Sequence, residues 1–205
     1  AGSLLMAVPV CALLGAGIER LAYRPLRNAP RLAPLITAIG VSIVLQNVAM
    51  MIWGRQYIPF PDILPHEPIH LGAATFLPVQ GVIVGLSGVL MIGLLLLVHH
   101  TRLGRAMRAT AQAPSVARLM GVSVDRVIAS TFVIGSVLAA VAGVMVTANY
   151  GQAHAYMGFM LGLKAFSAAV LGGIGNLAGA VVGGLLLGLI ESLGAGYIGD
   201  VTGGF

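Results

Sequence analysis

Four apolar runs follow one another along the chain, at residues 4–18, 32–53, 80–98 and 127–148, and from residue 159 a further apolar stretch is divided by Gly172, Gly173, Gly175 and Asn176. A helix needs roughly 20 residues, at about 1.5 Å each, to cross a hydrocarbon core of about 30 Å. The four runs meet or approach that length. The divided stretch reads either as two spans joined by a cytoplasmic turn, the reading adopted here, or as a re-entrant break buried within protein. The pattern therefore predicts an all-α, polytopic transmembrane helix bundle of about six spans.

The polar stretches between the runs orient it. Residues 19–31 carry Arg20, Arg24, Arg27 and Arg31, and residues 101–126 carry Arg102, Arg105, Arg108, Arg118 and Arg126; only Arg55 and Lys164 lie elsewhere. Arginine and lysine concentrate on the cytoplasmic side of membrane proteins, so both stretches are expected inside and 54–78 outside. In that outer loop Arg55 stands against Asp62 and Glu67. Its Pro59, Pro61, Pro65, Pro68 and Pro78 predict extended, turn-rich backbone. Trp53, Tyr57 and Tyr150 are expected at the outer interface, where amphipathic rings are favoured. The second basic stretch has a construction of its own: a basic helix, Pro114, a short helix with a small-residue face, then Gly121 before the next span. Such a loop can dock a partner.

Composition agrees. With 58% hydrophobic and 8% charged residues the chain has too little polar surface to cover a soluble globule, and its mean hydropathy is +0.99. A formal charge of +5 would suit nucleic acid if it were spread over a folded face, but here it clusters at the ends of apolar runs, so no nucleic-acid partner is expected and a lipid bilayer is. Cys11 is the single cysteine and lies in an apolar run, which excludes a disulfide framework and a thiolate metal site. Because the chain opens at Ala1 inside an apolar segment, it reads as a fragment expected to lack segments at both ends.

Several candidate sites fall away on inspection. Gly173, Gly175 and Ala178 fit G-x-G-x-x-A but follow no strand, so the match is taken as accidental. His99 and His100 are neighbours, about 100 degrees apart on a helix, and cannot share one metal; no metal site is expected. No serine, histidine and acid grouping suits catalysis, and the chain is read as a non-enzyme. Polar residues within apolar runs carry more information, because they need partners away from water. Gln46, Asn47, Lys164 and Glu191 are such residues and could together ring an outward-facing cavity on a substrate path. The plainer alternatives are interhelical hydrogen bonding for Gln46, Asn47 and Glu191, and snorkelling to the interface for Lys164. Glycines at four-residue spacing, Gly175, Gly179 and Gly183 with Gly184 and Gly188, Gly158 and Gly162, and Gly81 and Gly85, mark ridges where helices can pack closely.

The segments ERLAYRPLRNAPRLAPLITAIGVSIVLQN, GRAMRATAQAPSVARLMGVSVDRVIASTFVIGSVLAAVAGV and GLKAFSAAVLGGIGNLAGAVVGG closely resemble the LivH-type permeases of branched-chain amino acid ABC importers, and the likeness covers nearly the whole chain. The resemblance implies a single permease transmembrane domain over 1–205, in a bacterial inner membrane. It implies a second related permease subunit, two cytoplasmic ATPase subunits that use ATP and Mg2+, and a periplasmic amino-acid binding protein as partners, with no cofactor held by this chain itself. Residues 101–126 would be the cytoplasmic coupling loop, with Pro114, Ala117 and Gly121 shaping a short helix for a cleft on the ATPase and Arg105, Arg108 and Arg118 supplying charged contacts. The competing reading of that loop is a basic segment drawn to anionic head groups. Branched-chain, hydrophobic amino acids are the expected substrate. Amides, urea or short peptides on the same scaffold are the nearest alternative, followed by an ATP-independent secondary transporter. The latter would need a mid-membrane acid for ion coupling, and none is evident, since Glu191 lies near a span end.

Overall fold

A computed structural model describes residues 2–28, 33–60, 69–71, 74–76 and 78–201. It divides into two compact units, Ala1–His154 and Ala155–Phe205, and each is taken by itself. The expected positions Arg31, Pro61, Asp62, Pro65, Glu67 and Pro68 lie outside the described residues.

In the first unit α1 (Gly2–Ile18) runs on without a break into a π-helical turn, Glu19–Tyr23, and a 3-10 turn, Pro25–Asn28. The apolar segment Leu5–Tyr23 thus extends beyond residue 18, which corrects the expected start of the loop. The wide turn carries Glu19 inward, where it is only 5% exposed and has a partner. Next come α2 (Ala33–Trp53), α3 (Pro78–His100), α4 (Arg102–Gln112), α5 (Pro114–Leu119) and α6 (Val124–Tyr150). Pro78 opens α3 rather than closing the loop, because the first helical residue needs no backbone N–H. Gly151, at φ +67, ends α6.

The loop between α2 and α3 holds short strands, as its prolines suggest. β1 (Ile58–Pro59) pairs antiparallel with β4 (Gln152–Ala153), Ile58 opposite Ala153, and β2 (Ile69–Leu71) pairs with β3 (Ala74–Phe76). The Tyr57 ring lies 4.6 Å from that of His154, fastening the same corner.

Packing within the unit centres on α1 against α6. A Cβ at Gly15 would overlap the Ser136 side chain, with Ser136 Cβ 2.7 Å away, so glycine is what lets these two backbones approach. One turn beyond the end of α1, Tyr23 stacks on Phe132 with ring centroids 4.7 Å apart. Val124, Val127 and Ala140 of α6 are buried. Most of the apolar surface is not: Ile36, Ile43, Val44, Met51 and Ile52 of α2 and Val82, Val84, Val89 and Ile92 of α3 stand exposed, as expected for helices solvated by lipid or by other spans.

The second unit is a helical hairpin, α7 (Met157–Gly172) and α8 (Leu177–Val201). Five helices among the described residues are long and apolar enough to cross a membrane. The sixth expected segment, α7, is apolar but shorter, 16 residues, or about 24 Å.

Candidate functional site

Two places gather the residues the sequence singles out. The first is the corner formed by α3, α4 and α5. Thr101 sits between α3 and α4 in extended conformation; its hydroxyl accepts the N–H of Gly104 at 3.0 Å and donates back to the Leu97 carbonyl. One side chain therefore satisfies a free donor of the new helix and ties it to the end of the old one. Gly104 is buried, and any Cβ there would overlap the Leu97 and Val98 carbonyls, so α4 folds back tightly on α3. At the same corner the Arg108 guanidinium donates to the His99 carbonyl at 3.5 Å, and His99 Nδ1 lies 3.0 Å from the Leu95 carbonyl. Arg102, Arg105 and Arg108 occupy the exposed side of α4.

Ala113 is extended, φ −151, as a residue before proline should be, and Pro114 then opens α5. The helix stops after six residues at a Schellman turn. Gly121, φ +80, donates to the Arg118 carbonyl at 3.1 Å and Val122 donates to the Ala117 carbonyl at 3.0 Å. The small size of Ala117 serves a different purpose from the one expected. It is 4% exposed and packed inside its own unit. What α5 presents outward is Val116, Leu119 and Met120, 55%, 87% and 80% exposed. Their spacing of three and four residues is a readable apolar stripe that attention to the small residues passed over. Arg118 stands beside it, 3.9 Å from Asp125, with both side chains more than half exposed; an exposed pair of that length adds little stability. The corner thus combines a rigid approach, a six-residue helix with an apolar face, and an arginine rim, the usual make-up of a protein docking surface.

The second place is the hairpin. Gly173 and Gly175 take φ +90 and +95 in the turn, and Asn176 caps α8, its Oδ1 accepting from Gly179 N–H at 3.1 Å. Gly172 and Gly179 face each other so closely that a Cβ on either would overlap the other's backbone, and one on Gly183 would overlap the Ala168 carbonyl. The expected ridges at Gly81 and Gly85, Gly158 and Gly162, and Gly188 behave otherwise, with nothing within 4 Å of where their Cβ atoms would be. Gly184 meets only the Ala168 Cβ, at 3.8 Å. Further along the hairpin the Lys164 ammonium donates to Glu191 Oε1 in an ion pair between α7 and α8. Gln46 and Asn47, in the first unit, spend their amides on their own helix, on Ser42 Oγ at 3.2 Å and the Ile43 carbonyl at 2.8 Å. Among the described residues no three His, Cys, Asp or Glu side chains are placed to hold a metal ion.

A largely helical chain with five helices among the described residues long and apolar enough to cross a membrane defines a polytopic membrane protein. The chain belongs to the family of permease components of the branched-chain amino acid transport system, whose model matches residues 1–202. It is 43% identical over 203 residues to the high-affinity branched-chain amino acid transport system permease protein LivH of Salmonella typhimurium, covering 97% of this chain and 66% of that protein. It is 44% identical over 195 residues to the corresponding protein BraD of Pseudomonas aeruginosa, covering 93% of this chain and 64% of BraD. A more distant likeness, 30% over 115 residues, connects 53% of this chain with 36% of the ribose import permease protein RbsC of Escherichia coli. The chain thus spans just under two thirds of the length of these curated relatives. No solved structure matches it.

Proposed function

We infer that the chain is part of the path-forming permease of an ATP-driven importer for branched-chain amino acids in a bacterial inner membrane. Residues 1–205 act as one permease transmembrane domain and 101–126 as the cytoplasmic element that couples it to ATP hydrolysis. The chain itself hydrolyses nothing. Two cytoplasmic ATPase subunits bind ATP and Mg2+, a second related permease completes the path, and a periplasmic binding protein delivers the amino acid.

The observation that carries this reading is α5. A six-residue helix held at both ends exposes Leu119 and Met120 almost fully, and such a surface is unfavourable beside water unless another protein covers it. The rival reading, a basic loop drawn to anionic lipid, takes up arginines and an apolar face alike; the likeness to transport-system permeases is what favours docking on an ATPase. Substrate class rests on the LivH and BraD likeness. The weaker RbsC likeness favours, as a second reading, the same scaffold with another small solute. The test is uptake by the full-length protein in cells lacking their own branched-chain amino acid importer, with its ATPases and binding protein co-expressed. Labelled leucine should accumulate, and only with hydrolysis-competent ATPases. Uptake that persists with inactive ATPases would point to a secondary transporter, and uptake of ribose without leucine to the second reading.

A further inference from the structure

α7 and α8 run antiparallel, with Gly172 beside Gly179 and Ala168 beside Gly183. Continued by one turn, that register brings Lys164 level with Leu187 and leaves Glu191 about 6 Å farther from the hinge. Side-chain direction closes the gap. Cα–Cβ bonds tilt toward the N terminus of their own helix, so in antiparallel partners Lys164 leans away from the hinge while Glu191 leans back toward it. The resulting pair remains half open, 50% and 53% exposed. On the same two helices Met160, Leu163, Phe166, Leu189 and Ile190 are apolar and exposed. Charges open to hydrocarbon are strongly disfavoured, so the open side of this pair belongs against protein or water rather than lipid.

We propose that Lys164 and Glu191 form a station for a zwitterionic amino acid, the pair opening so that the α-carboxylate binds Lys164 and the α-ammonium binds Glu191. This rests on the amino-acid import reading above. The chemistry is one of exchange: a cation and an anion held together in apolar surroundings are the complement of a zwitterion, which satisfies both as they separate. The total charge of the site stays at zero with and without the solute. A sugar offers no charge to either member, and a simple anion or cation satisfies one and strands the other, at the high cost of a lone charge. No covalent step is involved.

The test uses the full-length permease in its assembled importer, reconstituted in liposomes, and compares Lys164→Met, Glu191→Gln and the double variant. If the pair only holds the hairpin, the damage in each single variant comes from the upset charge balance, and removing the second charge restores function. If the pair is a station, the double variant is as defective as the singles. We expect leucine uptake to fall about ten- to a hundredfold in all three, the range for loss of a hydrogen bond to a charged group. ATPase assembly and the thermal stability of the double variant should match the parent. A double variant that imports leucine at the parental rate overturns the station, and so does one that fails to assemble, since the pair would then belong to hairpin stability. The import reading is tested separately by the parent: a parental complex that moves only uncharged solutes overturns both, whereas equal leucine uptake by parent and double variant overturns the station alone.

Discussion

Gly121 offers a graded test of coupling, because the structure separates its backbone requirement from any steric one. The residue takes φ +80, yet nothing lies within 4 Å of where its Cβ would be. A side chain there meets no clash; it only pushes the backbone out of the left-handed region, at a cost of about 1–2 kcal/mol for most residues. A β-branched residue lies at the upper end, and asparagine, which visits this region readily, should lose only a fraction of it. The two hydrogen bonds that end α5, Gly121 to Arg118 and Val122 to Ala117, depend on that geometry and are worth about 1 kcal/mol each. A six-residue helix has almost no stability of its own, so losing 1–2 kcal/mol should cut the population with a correctly ended α5 by about five- to thirtyfold. In full-length permease reconstituted with its ATPases, Gly121→Val should lower leucine uptake and substrate-stimulated ATP hydrolysis by that order, while Gly121→Asn stays within about threefold of the parent. Membrane insertion should be unchanged in both, since no span is touched. Equal uptake by Val, Asn and parent, with complexes assembled alike, refutes a role for this turn in coupling.

Other outcomes follow from the same geometry. Leu119→Ala with Met120→Ala removes two side chains worth about 1.5–3 kcal/mol each on burial; ATPase co-purification should weaken by at least tenfold, and an unchanged dissociation constant would exclude α5 as the docking element. Ser123→Ala should be silent in the same assay, because Ser123 makes no side-chain cap to α6. Gly179→Val should destabilise the hairpin by about 1–3 kcal/mol, read as a lower melting temperature in detergent, whereas Gly188→Ala, with nothing within 4 Å of its added Cβ, should leave it unchanged. For topology, in a Cys11→Ala background a membrane-impermeant thiol reagent applied to intact cells should label Gln56→Cys and not Ser115→Cys; the reverse pattern would invert the orientation.

Which features the sequence disclosed depended on whether their cause is local. Span length, the Arg asymmetry and the short helix between Pro114 and Gly121 can be read because each follows from residues next to one another. The misplaced boundary at residue 19 has the same logic in reverse: Glu19 and Arg20 look like the water end of a span, but a π turn rotates Glu19 into the protein, where a partner meets it. Glycine spacing marked the contact in the hairpin, at Gly179 and Gly183, and not elsewhere. It marks where a backbone could approach, and Gly81, Gly85, Gly158 and Gly162 have that capacity with nothing near them. Gly15 and Gly104 stand in no such ridge and make the tight approaches of the first unit. Partner choice there is decided by where Thr101 turns the chain and where α6 crosses α1, which no four-residue period records.

The two candidate sites differ in the same way. At α5 the surface was within reach of the sequence, since Val116, Leu119 and Met120 repeat at helical spacing. Ala117, the smallest side chain of that six-residue helix, is the one most easily turned inward. The ion pair of the hairpin was beyond local reading. Lys164 and Glu191 are 27 residues apart, and their meeting depends on a register set by Gly172 against Gly179, on the left-handed glycines of the turn, and on the opposite lean of side chains in antiparallel helices. Alone, Lys164 reads as a charge snorkelling to the interface and Glu191 as an interhelical hydrogen-bonding group. Only with the turn closed do the two become one neutral unit, and that neutrality is what makes a charged pair tolerable among apolar helices and matched to a zwitterionic solute.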